Sequence, residues 1–429
     1  MTTSSPPPAE PGASVIDGTM EGKTPIRGPL RRLLAWVLPA NMSIYLVWGA
    51  VPSVLMALQV QRSLGEEDKA ANLAIITTVG AIASVLTQPI AGAISDRTRS
   101  RFGRRAPWLI FGGLVGGLSL IGMSLAHTLA HFVIAWVCVQ IGFNFAQGPL
   151  SAVLPDRVPR SVRGTFAAAL GLGAMFGSLG GQIYGASLSD HIPLAYTLLA
   201  GIGVLGLVLF VVFNPDRSGA DEQVKSLTPR EFLRAFWVSP RKYPDFAWAF
   251  GSRLSLYLGY HIVVGYKLYI LQDYIGLGAD AITVLPAMGA AALGGLLVTT
   301  VIGGRLSDHL GRRKIFVLVS AAVVGGAMLI PLALPSTTGI LLMAGVAGLG
   351  FGCFQAVDTA LISEVLPSKA SFAKDLGIVN MAQSLPQVLA PAMAGAIVIA
   401  SGGYAALFPV GAVFGVLGGL AVLPVKAVR

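Results

Sequence analysis

The chain has 429 residues, of which 54% are hydrophobic and 12% charged, against about 25% charged in a soluble domain. That balance excludes a water-soluble fold and points to lipid as the solvent. The net charge of +10 does not indicate nucleic acid, because the basic residues fall between apolar runs and not on one folded face.

Residues 1–32 are rich in Pro, Ser and Gly and read as a disordered cytoplasmic tail. No apolar core precedes Leu33, so the tail does not read as a signal peptide. Apolar runs of about 20 residues, enough to cross roughly 30 Å of hydrocarbon as helix, then recur. They fall near 34–58, 72–94, 107–126, 132–154, 165–186, 193–213, 246–270, 281–303, 313–334, 338–362, 376–400 and 405–425. The predicted fold is all-α and integral to the membrane, with twelve transmembrane helices, since helix alone satisfies the backbone of such runs in lipid. Residues 33–213 form one six-helix half and 246–429 the other, joined by a polar cytoplasmic linker over 214–245. Of the 30 Lys and Arg residues, all but Arg62, Lys69, Arg253 and Lys267 fall on one side of these spans. Both termini are therefore expected in the cytoplasm of a cell that carries the protein in its plasma or inner membrane. Cys138 and Cys353 lie inside apolar runs and read as buried thiols, not a disulfide.

Between the second and third spans, Gly92–Trp108 reads GAISDRTRSRFGRRAPW, with Asp96, Arg97, Gly103, Arg104 and Arg105 at its centre. Between the eighth and ninth, GRLSDHLGRRK at Gly304–Lys314 repeats it, with Asp308, Gly311, Arg312 and Arg313. The two halves align beyond this loop. At an offset of 212, Asn41, Ser43, Tyr45 and Leu46 correspond to Arg253, Ser255, Tyr257 and Leu258. After a four-residue insertion the offset becomes 208, and Gly142, Phe143, Gln147 and Pro159 correspond to Gly350, Phe351, Gln355 and Pro367. An internal repeat of this kind belongs to secondary transporters, which bind at the repeat interface.

The paired loops resemble the signature loop of the major facilitator superfamily. The longer form, SDRxxxRFGRRxPW, is similar to its sucrose-transporter and glycoside–pentoside–hexuronide symporter branch. The resemblance implies a two-domain bundle whose first, fourth, seventh and tenth helices line a central cavity. It also implies that the two loops act as gating elements between inward- and outward-open states. The fifth helix carries Gly173, Gly177, Gly180 and Gly181. This run resembles the glycine motif of drug/proton antiporters, but Ser178 replaces its proline. Close packing against the eighth helix is the expected role.

Polar residues are costly against lipid and so mark protein- or cavity-facing surfaces. The third, sixth, ninth and twelfth helices carry no Asn, Gln or charge in their cores and are expected on the outside. Four stripes remain, each on one helical face. They are Asn41, Tyr45 and Trp48; Gln140, Asn144 and Gln147; Arg253, Tyr257, Tyr260 and His261; and Gln355 and Asp358. All but Arg253, His261 and Asp358 are candidate solute ligands, because amides both donate to and accept from hydroxyls and aromatic faces cover sugar rings. Asp358 and Arg253 lie at similar depth, roughly 9–10 Å from the cytoplasmic side at 1.5 Å per residue. They form a candidate proton-coupling pair, since separating the arginine from the acid would raise the acid's affinity for protons. The branch resemblance implies coupling acids on the first or fourth helix, where this chain has Asn41, Gln147 and Leu150.

Three functions fit these residues: a proton-coupled transporter of a small polar solute such as a sugar, an efflux antiporter of an amphipathic metabolite or drug, and a non-transporting receptor or scaffold. No nucleotide-binding loop, metal cluster or nucleophilic triad is present in the sequence, so no cofactor, metal or enzymatic activity is expected. The expected partners are the solute, protons and the bilayer, with the monomer as working unit.

Overall fold

A computed structural model describes residues 25–216, 241–365 and 372–426. Most of the expected tail and linker lie outside these residues. The first half runs α1 (Pro29–Leu64), α2 (Lys69–Arg97), α3 (Ala106–Ser124), α4 (Leu129–Arg157), α5 (Arg163–Ser187) and α6 (Ile192–Phe213). In the second, α7 (Pro244–Val264) continues after a 47° bend as Lys267–Tyr274. Then come α8 (Ala281–Leu310), α9 (Arg313–Ala333), α10 (Thr337–Val365), α11 (Phe372–Ser401) and α12 (Leu407–Leu420). Ten of the described helices are long and apolar enough to cross a membrane; bent α7 makes an eleventh, and α12 is a shorter apolar helix. Local chemistry sets several ends. α1, α3, α6 and α7 open on a first-turn proline, where the missing N–H costs nothing. The Thr128 hydroxyl accepts from His131 N–H to cap α4. Gly311, at φ +60°, ends α8 in the left-handed conformation.

The repeat read from sequence is visible in the packing. α1 lies on α5 and α6, α3 on α4 and α6, and α2 on α4; α7 lies on α11 and α12, α9 on α10 and α12, and α8 on α10 in the same way. The halves meet through a matched pair of contacts, α2 with α11 and α5 with α8. The outer helices present exposed apolar side chains, among them Leu118 on α3, Leu205 on α6, Val319 on α9 and Val413 on α12. Cys138 and Cys353 are free thiols, half-buried and not fully so.

One expectation about α5 is corrected. Its glycine run packs against α1, within the same half, and not mainly against α8. A Cβ on Gly177 would stand 2.6 Å from Met42 O, and one on Gly181 would overlap Leu46 O. Such close backbone approach is what small residues allow between membrane helices. α8 meets the opposite face of α5, where Gly289 lies beside Leu179 and Gln182.

The first helix of each half is irregular at the same place. α1 contains a π-helical turn at Val51–Leu55; adding the offset of 212 gives 263–267, the segment where α7 bends. Breaks in the i→i−4 ladder free backbone groups and recur at functional sites. Here Pro52 and Ser53 of one break and Val264, Gly265 and Tyr266 of the other border the same cavity.

Candidate functional site: a cavity between the halves

A cavity of about 590 Å³ lies between the two halves. α1 supplies Tyr45 and Trp48 to its wall, and α4 supplies Trp136, Gln140, Asn144 and Gln147. α2 adds Thr77, Ser84 and Gln88, α5 adds Ser178, α7 adds His261 and Tyr266, and α11 adds Gln383, Ser384 and Gln387. No Asp, Glu, Lys or Arg is among the lining residues. The wall therefore offers amides, hydroxyls, one imidazole and aromatic rings.

The amides of the first half are wired together. Gln88 Nε2 donates to Asn144 Oδ1 at 3.0 Å, and Asn144 Nδ2 donates to the Gln140 carbonyl at 2.7 Å and its Oε1 at 3.1 Å. Gln147 Nε2 donates to Asn41 Oδ1 at 3.2 Å, and Asn41 Nδ2 to Leu170 O at 2.6 Å. Asn41 thus orients Gln147 from behind the wall. Beside the amides, Trp48 and Trp136 meet edge to face at 6.1 Å.

The structure places the second-half stripe differently from the expectation. Tyr257, Tyr260 and Gln355 are not among the lining residues. Tyr260 stacks on Phe351 of α10 at 4.6 Å, and Tyr257 meets Phe351 and Phe354 at 5.0 and 6.4 Å. That face of α7 turns to α10, and α11 takes the place on the wall that α10 was expected to hold. Arg253 and Asp358 do meet, with Nε 3.2 Å from Oδ2 and side-chain exposures of 6% and 2%. They form a buried ion pair behind the wall.

The Asp96 loop is a clasp within the first half. Arg105 Nη2 lies 2.6 Å from Asp96 Oδ1 and 2.9 Å from Asp156 Oδ2 at the end of α4. Its Nη1 donates to Ser95 Oγ, and Arg104 pairs with the other Asp156 oxygen at 3.0 Å. Gly103 turns with φ +88°, and a Cβ there would strike Asp216. Arg97 donates to Ala93 O on its own helix. Asp156, which ties the end of α4 to Arg104 and Arg105 just before α3, went unread in the sequence. Its only signal was an acid beside a proline at a helix end. In the second loop Gly311 turns, Arg312 precedes α9 and Arg313 begins it; the Asp308 side chain lies outside the described ones.

The Major Facilitator Superfamily profile matches residues 36–373 and 271–428. The chain belongs to the major facilitator superfamily. It is similar over short stretches to two curated proteins. It is 42% identical over 59 residues, 14% of this chain and 11% of that protein, to the general alpha-glucoside permease of Schizosaccharomyces pombe. It is 25% identical over 133 residues, 26% of each chain, to the sucrose transport protein SUC4 of Arabidopsis thaliana. The chain thus matches only a minor part of either relative's length. Among solved structures it resembles a point mutant of the nucleoside transporter NupG, with TM-score 0.74, 13% identity and coverage of 92% of this chain and 99% of that one. It also resembles a bacterial homolog of the human lysosomal transporter Spinster in an inward-facing, occupied conformation. There the TM-score is 0.70, the identity 16% and the coverage 92% and 96%. These likenesses carry the fold: this is a multi-pass membrane transporter of that superfamily, not an enzyme.

Among the described residues of this superfamily member, the side-chain bonds between halves gather at the end of the cavity away from the Asp96 loop. Lys69 of α2 lies 3.0 Å from Asp273, beyond the α7 bend, and 2.9 Å from Glu66. Hydrogen bonds from the Lys69 ammonium and then the Gln61 amide hold the Glu66 carboxyl below its usual range. Tyr269 OH donates to Ala57 O at 2.9 Å, and Tyr266 OH to Ala70 O at 3.0 Å. Lys267 donates to Gln182 of α5. Lys69 also sits over the Tyr269 ring at 5.1 Å. Sequence reading missed this seal because its partners across the halves lie 85 to 212 residues apart and share no motif.

Proposed function

We propose that this chain is a secondary active transporter that moves a neutral, hydroxyl-rich solute, a sugar or glycoside, together with protons by alternating access. The observation that carries the reading is the cavity wall: amides, hydroxyls and aromatic rings, with no Asp, Glu, Lys or Arg lining it. An anionic solute would need a cation there and a lipophilic cation would need an acid, since burying an unpaired charge is costly. Amides pair with hydroxyls in both directions, and the Trp48–Trp136 corner suits the apolar face of a sugar ring. The names of the two partial relatives, an alpha-glucoside permease and a sucrose transport protein, support the same solute class. The protein works as a monomer in the plasma or inner membrane with both termini in the cytoplasm. In that orientation the seal lies on the outer side and the conformer faces inward. Asp358 takes up the coupling proton and Arg253 is its counter-charge.

Isothermal titration of the solubilised protein tests the solute class. A neutral glycoside is expected to bind, and Gln147→Ala and Trp48→Ala each to weaken it by several-fold, about 1 kcal/mol per lost contact. Binding of lipophilic cations alone overturns the reading in favour of efflux of an amphipathic metabolite.

A further inference from the structure

The buried ion pair and the cavity are separate features of this structure, and a proton taken from the cavity needs a way to reach Asp358. One stripe of α7 joins them. Arg253, Tyr257 and His261 are spaced four residues apart, so they follow one another along one helical face, about 6 Å of rise at each step. At one end the Arg253 guanidinium lies 3.2 Å from Asp358 and 5.8 Å from the Tyr257 ring centroid. At the other end His261 borders the cavity, its ring 6.2 Å from that of Tyr257. Its imidazole hydrogen-bonds no side chain among the described residues. Between the two ends sits the Tyr257 hydroxyl, fully buried beside the Arg253–Asp358 pair.

We propose that His261 is the cavity-side end of a proton path that runs through the Tyr257 hydroxyl to Asp358. The inference rests on the proposed proton coupling and adds a residue to it. A proton from cavity water binds the imidazole. The imidazolium passes one proton to the Tyr257 oxygen, by rotation of the phenol or through one bridging water, as the phenol gives its own proton onward. Asp358 ends as a neutral carboxyl, Tyr257 is unchanged, His261 is neutral again, and Arg253 is left without its anion. That loss of the ion pair loosens α7 from α10. The other ionisable groups near the path are few. Tyr260 lies on α7 itself, 5.7 Å from His261 ring to ring, while Tyr45 and Tyr266 share the cavity wall. α10 supplies Asp358 and Cys353, and carries Glu364 next to its last residue. α12 carries no Asp, Glu, Lys, Arg or His, and α9 only Arg313 and Lys314 at its start. α11 carries Lys374 and Asp375 in its first turn, and its Gln383, Ser384 and Gln387 face the cavity.

The test needs no solute. Infrared difference spectra of the purified protein, titrated with acid, should show a carboxylic-acid C=O band that Asp358→Asn removes. A pH jump followed by stopped-flow infrared then times the appearance of that band. His261→Gln and Tyr257→Phe, which keep the side-chain volume, are expected to slow it by about tenfold or more while leaving the final amplitude intact. An unchanged rate in both variants, with the Asp358 band present, overturns the path and leaves the coupling residue standing. Absence of any Asp358-dependent band overturns the coupling reading itself and the path with it.

Discussion

Trp136 is 2% exposed and yet forms part of the cavity wall, because its indole lies flush against the α2 backbone at Gly80. A Cβ on Gly80 would overlap Trp136 Cδ1 and Nε1. Trp48 meets the indole edge to face. Gly80→Ala is therefore expected to destabilise the protein by roughly 1–3 kcal/mol through overpacking. In a Trp136→Ala background the same change should cost nothing measurable, because the clash partner is gone. Thermal unfolding of the four proteins of this cycle decides it; equal costs in both backgrounds would mean that the indole does not press on Gly80. Asp156 makes a different point at this scale. Arg105 is 7% exposed and holds both Asp96, 58% exposed, and Asp156, 20% exposed. The more enclosed carboxylate carries more of the clasp, because surface ion pairs contribute little, although the loop motif itself contains only Asp96.

At the scale of elements, α1 and α5 approach backbone to backbone, and neighbouring glycines on α5 do not play equal parts. A Cβ on Gly181 would overlap Leu46 O and stand 2.7 Å from Ala50 N, while one on Gly180 would meet only the flexible end of Leu46 at 3.5 Å. Gly181→Ala must push the helices apart and is expected to lower the unfolding temperature sharply. Gly180→Ala should be neutral or slightly stabilising, since alanine favours helix by up to about 1 kcal/mol over glycine. Equal behaviour of the two would mean that the α1–α5 contact is looser than these distances imply. The helices themselves were legible in the sequence, because length and hydropathy alone define a span. The repeat was legible because one insertion explained two offsets. For α1 and α4 most of each polar stripe borders the cavity, with Asn41 set behind Gln147. What the stripes could not tell was which neighbour a polar face meets. The α7 face with Arg253, Tyr257 and Tyr260 turns to α10 and its phenylalanines, and periodicity does not distinguish a buried interface from a cavity. α2 was passed over because its contribution is mostly small hydroxyls, Thr77 and Ser84. α11 was passed over because its Gln383, Ser384 and Gln387 follow no long stripe.

For the whole molecule, the asymmetry between the two ends decides how it must move. The Asp96 clasp lies within one half and can survive a rotation of the halves, whereas the Lys69–Asp273 pair joins them and has to break. Lys69 is 7% exposed at its side chain and Asp273 is 39% exposed, so the pair is neither fully screened nor fully desolvated. Its loss should shift the balance by about 1 kcal/mol, a factor of about five in population. Glu66 belongs to the same half as Lys69 and lies 2.9 Å from it. When the halves part, the ammonium keeps Glu66 as partner and only Asp273 is released, which keeps the cost of opening small. Accessibility of Thr77→Cys on the cavity wall reads this directly, in protein whose Cys138 and Cys353 are replaced by serine. A membrane-impermeant thiol reagent added from the side opposite the Asp96 loop should label it about fivefold faster when Asp273 is changed to Asn. The charge-reversed pair, Lys69→Asp with Asp273→Lys, should return labelling toward the original rate, since the transplanted ammonium meets the new carboxylate and Glu66 across the same gap. If Asp273→Asn leaves the rate unchanged, the seal is held by Tyr266, Tyr269 and Lys267 against α1, α2 and α5, and the ion pair is incidental to the alternation.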